Sequence, residues 1–163
     1  MPTSQSNKPV IAISMGDPSG IGPEIMLKAL AEPSINGIAN YIIAGDAKVL
    51  KKTLAILSRR GKLCLKKLSV NILDLHNVRI SSFSFGKVSS NYGRASVEYI
   101  RRAYELVRTK TADAMVTAPI NKFSVRKTHF KFSGHTEYLA HLSGAKKFAM
   151  MLAGGPLKII LVT

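Results

Sequence analysis

Residues 10–31, which read VIAISMGDPSGIGPEIMLKALA, decide the fold class. The run 10–15 is apolar and rich in β-branched side chains, as in a buried strand, and the apolar spacing over 23–31 is that of a helix. Between them, Asp17 and Gly20 stand at the first and last positions of a type I turn, which favour Asp and Gly. The stretch therefore predicts a strand, a tight turn and a helix in succession.

The same alternation continues along the chain. Strands are predicted over 10–15, 41–44, 68–75, 113–117, 148–153 and 157–162, and helices over 23–31, 46–61, 94–108 and 136–142, with a loop over 87–93. In the helix 94–108 the inward side chains are expected to be Val97, Ile100, Tyr104 and Val107, with Glu98 paired to Arg102 outside. Strands that alternate with helices indicate an α/β sheet with helices on both faces.

The composition indicates a globular protein. The chain has 163 residues, of which 46% are hydrophobic and 20% charged. Its single cysteine, Cys64, excludes an intramolecular disulfide framework and a zinc site of the multi-cysteine type. The polar segment 1–8 does not resemble a signal peptide, and no apolar run approaches the ~20 residues of a membrane span. We therefore expect a cytoplasmic protein without a membrane partner.

The net charge of +15 raises the question of nucleic-acid binding. In the predicted helix 46–61, Lys48 and Lys52 lie opposite an apolar stripe that includes Leu50 and Leu57, which is the pattern of an ordinary solvated face. No zinc finger or aromatic RNA-binding motif accompanies the charge. Specific nucleic-acid binding is not expected, and a basic remnant that binds polyanions stays as the lower-ranked alternative.

Three segments could carry chemistry, and the first is the turn 16–22. Amides at the start of a helix, above the carboxyl ends of parallel strands, suit an anion or a nucleotide. The spacing matches neither the Walker loop nor the Gly-x-Gly-x-x-Gly fingerprint. A purely structural turn explains it equally well.

The second segment is Thr-Ala-Pro-Ile-Asn-Lys over 117–122, again directly after a predicted strand. The Asn121 amide can donate and accept hydrogen bonds, and Lys122 can meet a phosphate or a carboxylate. The alternative is a loop in which Asn121 caps a helix and Lys122 is solvated.

The third segment is Gly-His-Thr-Glu over 134–137, at a transition from loop to helix. His135 offers an imidazole and Thr136 a hydroxyl to a small polar substrate. The neighbouring histidines, His129 and His141, are each six positions from His135 and do not match the spacing of a helical metal pair. A capping or surface role for His135 is the alternative.

Taken in this order, the segments 16–24, 44–46, 117–122 and 134–137 resemble the 4-hydroxythreonine-4-phosphate dehydrogenase family of pyridoxal phosphate biosynthesis. The resemblance implies a three-layer α/β/α fold like that of the isocitrate and isopropylmalate dehydrogenases, a homodimer, and a site in the cleft between two domains. Residues 1–120 would form the first domain, on the cofactor side. Residues 121–163 would begin a second, substrate and metal domain, within which the chain is truncated.

The resemblance also implies a chemistry. NAD or NADP would oxidise the secondary alcohol of 4-phosphooxy-threonine, a small phosphorylated substrate, and decarboxylation would follow. A related enzyme acting on threonate or erythronate 4-phosphate is the alternative. The family's divalent metal (Zn, Mg or Co) is held by three histidines that would lie beyond Thr163, with no metal ligand in this chain, so we expect these 163 residues to be inactive alone.

The resemblance assigns roles to particular residues. His135 and Thr136 would bind substrate, and Asn121 and Lys122 would lie in the same cleft. The turn would border the cofactor through five residues, which are Gly16, Asp17, Gly20, Ile21 and Gly22.

Overall fold

Strands and helices alternate in the computed structural model, which describes residues 8–59, 70–132 and 134–161. The elements are β1 Val10–Ser14, α1 Gly22–Ala31, α2 Pro33–Asn36, β2 Asn40–Gly45, α3 Ala47–Arg59, β3 Asn71–Asp74, α4 Ser90–Arg108, β4 Ala114–Thr117, α5 Lys122–Arg126, α6 His135–Ser143, β5 Met150–Gly154 and β6 Leu157–Leu161. A 3-10 turn covers Ile80–Ser82. The predicted mixed α/β fold is confirmed.

The first four strands form a parallel sheet in the order β3-β2-β1-β4. In its register, Ile13 of β1 lies between Ile43 of β2 and Val116 of β4. Each crossover between parallel strands includes at least one helix, as the sequence pattern indicated. The carboxyl ends of β1, β2, β3 and β4 therefore lie at one edge of the sheet.

Helices pack on both faces of this sheet, and the side chains that alternate along β1 separate the two cores. On one face, Ala12 of β1 and Ala44 of β2 pack against Ala103 of α4, and the small side chains allow α4 to approach closely. On the other face, Ile13 packs in a cluster that includes Leu27 of α1 and Leu50 of α3.

Helix α4 differs from its prediction because a long-range contact is not visible in the sequence. The helix begins at Ser90, so most of the predicted loop 87–93 is helical. A Cβ atom on Gly93 would lie 2.2 Å from the Ser124 carbonyl oxygen, so this glycine permits close packing of α4 on α5. The fully buried tyrosine is Tyr99 rather than Tyr104.

The predicted Glu98–Arg102 pair is also wrong. Glu98 pairs with Arg101 at 2.5 Å, and Arg102 pairs with Glu105 at 2.7 Å.

Elsewhere the differences between the predicted and the observed strands are small. The strand predicted over 68–75 is β3, although 68 and 69 lie outside the described residues, as does Cys64.

The last two strands, β5 and β6, form an antiparallel hairpin separate from the main sheet. Its apolar side chains are exposed on both faces, with Leu152 54% and Ile160 62% accessible. The hairpin confirms the prediction of two strands here, and Val162 lies outside the described residues. None of the helices in the described ranges is long and apolar enough to cross a membrane.

Candidate functional site

The turn after β1 and the segment after β4 meet at the carboxyl edge of the sheet. The Asp17 amide donates a 2.9 Å hydrogen bond to the Pro119 carbonyl, and the Ala118 amide donates one of 3.0 Å to the Ser14 carbonyl. Gly16 has a φ of +73°, and a Cβ atom there would lie 2.4 Å from the Pro119 oxygen. The backbone itself therefore joins the first two sequence motifs.

Within the turn, Asp17 is an internal hydrogen-bond acceptor. Its carboxylate accepts a 2.9 Å bond from the Ser19 amide, and its carbonyl accepts a 3.0 Å bond from the Gly20 amide, which confirms the predicted turn. Burial raises the pKa of the Asp17 carboxyl, and the bond from Ser19 opposes this shift. Asp17 thus holds the shape of the turn.

Ser19, which the sequence analysis did not single out, connects the turn to the loop before α4. Its hydroxyl donates to the Ser84 carbonyl at 2.9 Å and accepts from the Lys87 amide at 2.8 Å. Its carbonyl accepts from the Gly86 amide at 2.8 Å. These contacts span more than sixty positions, so no local pattern could have revealed them.

The five residues assigned to the cofactor side therefore differ in what they present. Gly16 and Gly22 are constrained by packing, because a Cβ atom on Gly22 would lie 2.4 Å from the Met15 carbonyl oxygen. Asp17 is buried, whereas Gly20 is exposed and Ile21 is 62% accessible. Only the last two face a ligand approaching from solvent.

A groove of about 400 Å³ runs beside this exposed part of the turn. It lies between α1, α3 and the loop before α4, and its lining combines apolar side chains with backbone polar groups. The lining residues are Ser19, Gly20, Ile21, Glu24, Thr53, Ile56, Leu57, Phe85 and Gly86. The amides of Ser19, Gly20 and Gly86 already donate hydrogen bonds within the protein, so the groove offers a ligand mainly its apolar walls.

The third motif reaches the same edge of the sheet through His135, the first residue of α6. The imidazole lies close enough to the Ala118 backbone, directly after β4, for that backbone to raise its pKa. Its Nε2 atom is buried and has no hydrogen-bond partner among the described residues. Burial lowers the pKa of His135, the contact with Ala118 raises it, and the Lys122 charge lowers it.

Between β4 and α6, Asn121 has a structural role, whereas Lys122 is exposed to solvent. The Asn121 side chain accepts a 2.9 Å bond from the Ser124 amide and caps α5, which confirms the capping alternative. Lys122 is exposed and acts on His135 through its charge. Thr136 is half-buried beside His135 at the start of α6.

Ala118 lies where the three motifs meet, and the sequence analysis gave it no role. Its backbone lies near His135. Its Cβ atom would be 3.3 Å from a Cβ atom added to Gly22. The Ala118 side chain therefore lies close to the turn at Gly22. The structure therefore brings the turn, Ala118 and His135 together at one edge of the sheet.

The segment 44–46 has a structural role next to this site. The buried Asp46 carboxylate accepts bonds from the Asn77 and Val78 amides at 3.1 and 3.0 Å and from the Tyr99 hydroxyl at 2.5 Å. Burial first, and then this hydrogen bond, raise the pKa of Tyr99. Asp46 thereby fixes the loop after β3 to α4.

The donor set does not fit a metal ion in the part of the chain that the structure describes. No three His, Cys, Asp or Glu side chains in the described ranges are grouped so that they could hold one. Of the other histidines, His76 contacts Asp74 at 3.3 Å, and His141 stacks on the Phe132 ring at 4.8 Å. We derive no metal-dependent step from these residues.

Comparisons with known proteins give matches over most of the chain. The protein-family model described as pyridoxal phosphate biosynthetic protein PdxA matches residues 37–163. A 4-hydroxythreonine-4-phosphate dehydrogenase of Trichlorobacter lovleyi is 37% identical over 96% of this chain and 49% of its own length. A protein of Clostridium botulinum, named as a candidate D-threonate 4-phosphate dehydrogenase, is 34% identical over 97% of this chain and 50% of its own.

The fold is also similar to that of a solved structure. The 4-hydroxythreonine-4-phosphate dehydrogenase of Klebsiella pneumoniae superimposes with a TM-score of 0.82 at 32% identity, over 96% of this chain and 50% of that one. The chain thus spans about half the length of the relatives it matches.

Proposed function

Because the chain belongs to the PdxA family of pyridoxal phosphate biosynthetic proteins, we propose that it supplies one wall of a dehydrogenase cleft for a phosphorylated hydroxy acid. NAD or NADP would occupy the side formed by Gly20 and Ile21, and the substrate would lie against His135. The carboxyl edge of a parallel sheet is where open α/β folds bind such ligands. The whole cleft would form only in a protein of the family's full length.

The observation that carries this proposal is the Nε2 atom of His135, which is buried without a partner in the described structure. An unmet buried nitrogen is costly, and a substrate hydroxyl or carboxylate would remove that cost. Because its pKa is lowered, the imidazole is neutral near pH 7 and can either donate or accept this bond, depending on its tautomer.

The neighbours of His135 fit the remaining groups of such a substrate. Lys122 offers a positive charge to a phosphate or carboxylate, and the Thr136 hydroxyl adds a second polar group at the start of α6. When bound, a nicotinamide cofactor supplies the hydride acceptor for oxidation of the alcohol. His135 would hold the alcohol in a fixed orientation, while the backbone at Ala118 holds the imidazole.

The leading substrate is 4-phosphooxy-threonine, and D-threonate 4-phosphate is the second candidate. The second is favoured by relatives from Clostridium botulinum and Oceanobacillus iheyensis that carry its name. The two molecules share the alcohol, the carboxylate and the phosphate and differ in the amino group.

A homodimer and a divalent metal complete the proposal. The exposed apolar hairpin of β5 and β6 supports self-association of the full-length protein, because apolar faces of this kind are seldom left in contact with water. The metal would bind through residues other than those described here, so its role in polarising the substrate is not assigned to any of them.

The test is nicotinamide reduction by a chimera that continues from residue 163 into the second half of the Trichlorobacter lovleyi relative. Each substrate is assayed with NAD and with NADP. We expect reduction with one substrate, and a loss of at least about 100-fold in His135→Asn but not in His76→Asn. Equal loss in both variants, or reduction of neither cofactor by a folded chimera, would contradict the proposal.

A further inference from the structure

A polar cavity of about 530 Å³ lies between the segment 75–89, which follows β3, and the first turn of α4. Its volume is that of a cleft for a small-molecule ligand. None of its lining residues lines the groove beside the turn after β1, so the two are separate features. The lining includes Asn77, Arg79, Ser82, Lys87, Ser89 and Asn91.

Two cationic side chains line this cavity, those of Arg79 and Lys87, and both are exposed. No aspartate or glutamate is among the lining residues, and within the described ranges neither cation forms an ion pair with a carboxylate. The nearby Asp46 carboxylate is buried and already accepts bonds from two amides and the Tyr99 hydroxyl. The cavity therefore carries a positive charge that favours an anionic ligand.

The backbone that carries the two cations is held in place by long-range hydrogen bonds. The Asp46 carboxylate accepts a 3.0 Å bond from the Val78 amide, directly before Arg79. The Ser19 hydroxyl accepts a 2.8 Å bond from the amide of Lys87 itself. Because both ends of the segment are fixed to other parts of the fold, a ligand would order only the two side chains, and the entropic cost of binding is small.

The polar groups of the cavity match the oxygens of a phosphate. The guanidinium of Arg79 can donate two parallel bonds to phosphate oxygens, and the ammonium of Lys87 adds a point charge. The Ser89 hydroxyl makes no capping bond to α4, and the Asn91 amide adds a further neutral donor. We propose that this cavity binds a phosphate monoester, whose dianionic group lies between Arg79 and Lys87.

Two sources of such a phosphate are distinguishable. Lys87 directly follows Gly86, which lines the groove beside Gly20 and Ile21, so the same loop borders both features. A dinucleotide in that groove could therefore place the 2′-phosphate of NADP in the cavity, which would select NADP over NAD. This source rests on the proposed function, whereas a free phosphate ester does not.

The experiment titrates the 163-residue chain with adenosine 2′-monophosphate, with adenosine and with inorganic phosphate, using calorimetry. The test variant combines Arg79→Gln and Lys87→Gln. The control combines Arg108→Gln and Lys110→Gln, which removes the same charge from exposed residues at the opposite end of α4. We expect the Kd for adenosine 2′-monophosphate to rise at least about tenfold in the test variant and to stay within about twofold in the control.

Adenosine should bind at least about tenfold more weakly than its 2′-phosphate, since the phosphate supplies the contacts. Equal weakening in both double variants, or equal binding of adenosine and its 2′-phosphate, would overturn the proposal. It would also be overturned if a folded wild-type chain bound neither adenosine 2′-monophosphate nor inorganic phosphate at millimolar concentrations.

The chimera described above separates the two sources. A preference for NADP over NAD in kcat/KM that the test variant reduces at least about tenfold would support the cofactor as the source. An unchanged preference, together with weakened binding of adenosine 2′-monophosphate, would support a free phosphate ester. A chimera that reduces neither cofactor would contradict the proposed function, while the titrations of the 163-residue chain would still decide whether the phosphate site exists.

Discussion

The Asp17 amide and the Pro119 carbonyl, 102 positions apart in the sequence, are joined by a 2.9 Å hydrogen bond. This bond makes the turn after β1 and the segment after β4 a single backbone unit. His135 contacts the same unit through Ala118. The candidate site is therefore held by main-chain contacts at the sheet edge, and side chains that face outward are free to meet ligands.

Gly16→Ala should destabilise the fold by about 3 kcal/mol, because it combines a positive φ with overlap of the new Cβ atom and the Pro119 oxygen. Gly86→Ala is the matched control, since Gly86 has a φ of +74° and nothing within 4 Å of the added Cβ atom. It should cost only about 1 kcal/mol. Urea unfolding measures both, and equal losses would show that Pro119 does not constrain the turn.

Asn121→Ala should cost about 1 kcal/mol, because it removes the cap that the Asn121 side chain provides to the Ser124 amide. Asn121→Asp keeps an acceptor at the same position and should restore most of that stability. Thermal unfolding of the two variants distinguishes them. If both lose the same stability, the capping bond is not what Asn121 contributes.

The stability of the protein should depend on pH through His135. Burial lowers the pKa of the folded imidazole below its ordinary value of 6.5, so the unfolded chain binds the proton more readily. The stability that the neutral imidazole contributes is complete above pH 6.5 and is lost as the pH falls through the lowered pKa of the folded protein. Urea unfolding gives the free energy of unfolding at pH 8 and at pH 5. The decrease between these two pH values should be smaller in His135→Asn than in the wild type, and an identical decrease would contradict this prediction.

Lys122→Met should raise the pKa of His135, because the Lys122 ammonium disfavours the protonated imidazole. Lys127→Met serves as the control, since Lys127 is also exposed near α5 but does not contribute to the shift. The Cε1 proton of His135 reports its titration by NMR. A decrease, or the same change in both variants, would show that Lys122 is not near the imidazole.

The fold was predictable where local patterns determine it. The strand-turn-helix pattern of residues 10–31 specifies β1 and α1 from periodicity and turn chemistry alone. The start of α4 was not predictable, because a glycine such as Gly93 is typical of a loop. Glycine is needed there because the Ser124 carbonyl, more than thirty positions away in the sequence, leaves no room for a Cβ atom. Tertiary packing overrides the helix propensity of glycine there.

The candidate site was predictable in its motifs but not in its connections. His135 was identified from its place at a helix start, and the turn from its position after a strand. The roles of Ser19 and Ala118 depend on residues distant in sequence and on which atoms approach closely, and neither leaves a local pattern. The division of the domains near residue 120 stays a prediction.

The central claim, that the Nε2 atom of His135 recognises a phosphorylated hydroxy acid, is tested most directly by ¹⁵N NMR of histidine-labelled protein. The 163-residue chain is titrated with 4-phosphooxy-threonine, with D-threonate 4-phosphate and with inorganic phosphate, and His135→Asn assigns the resonance. We expect a saturable shift of the His135 Nε2 resonance with one of the two hydroxy acids, and none of that size with phosphate. An unchanged His135 resonance in a folded chain at millimolar concentrations of both hydroxy acids would contradict the claim.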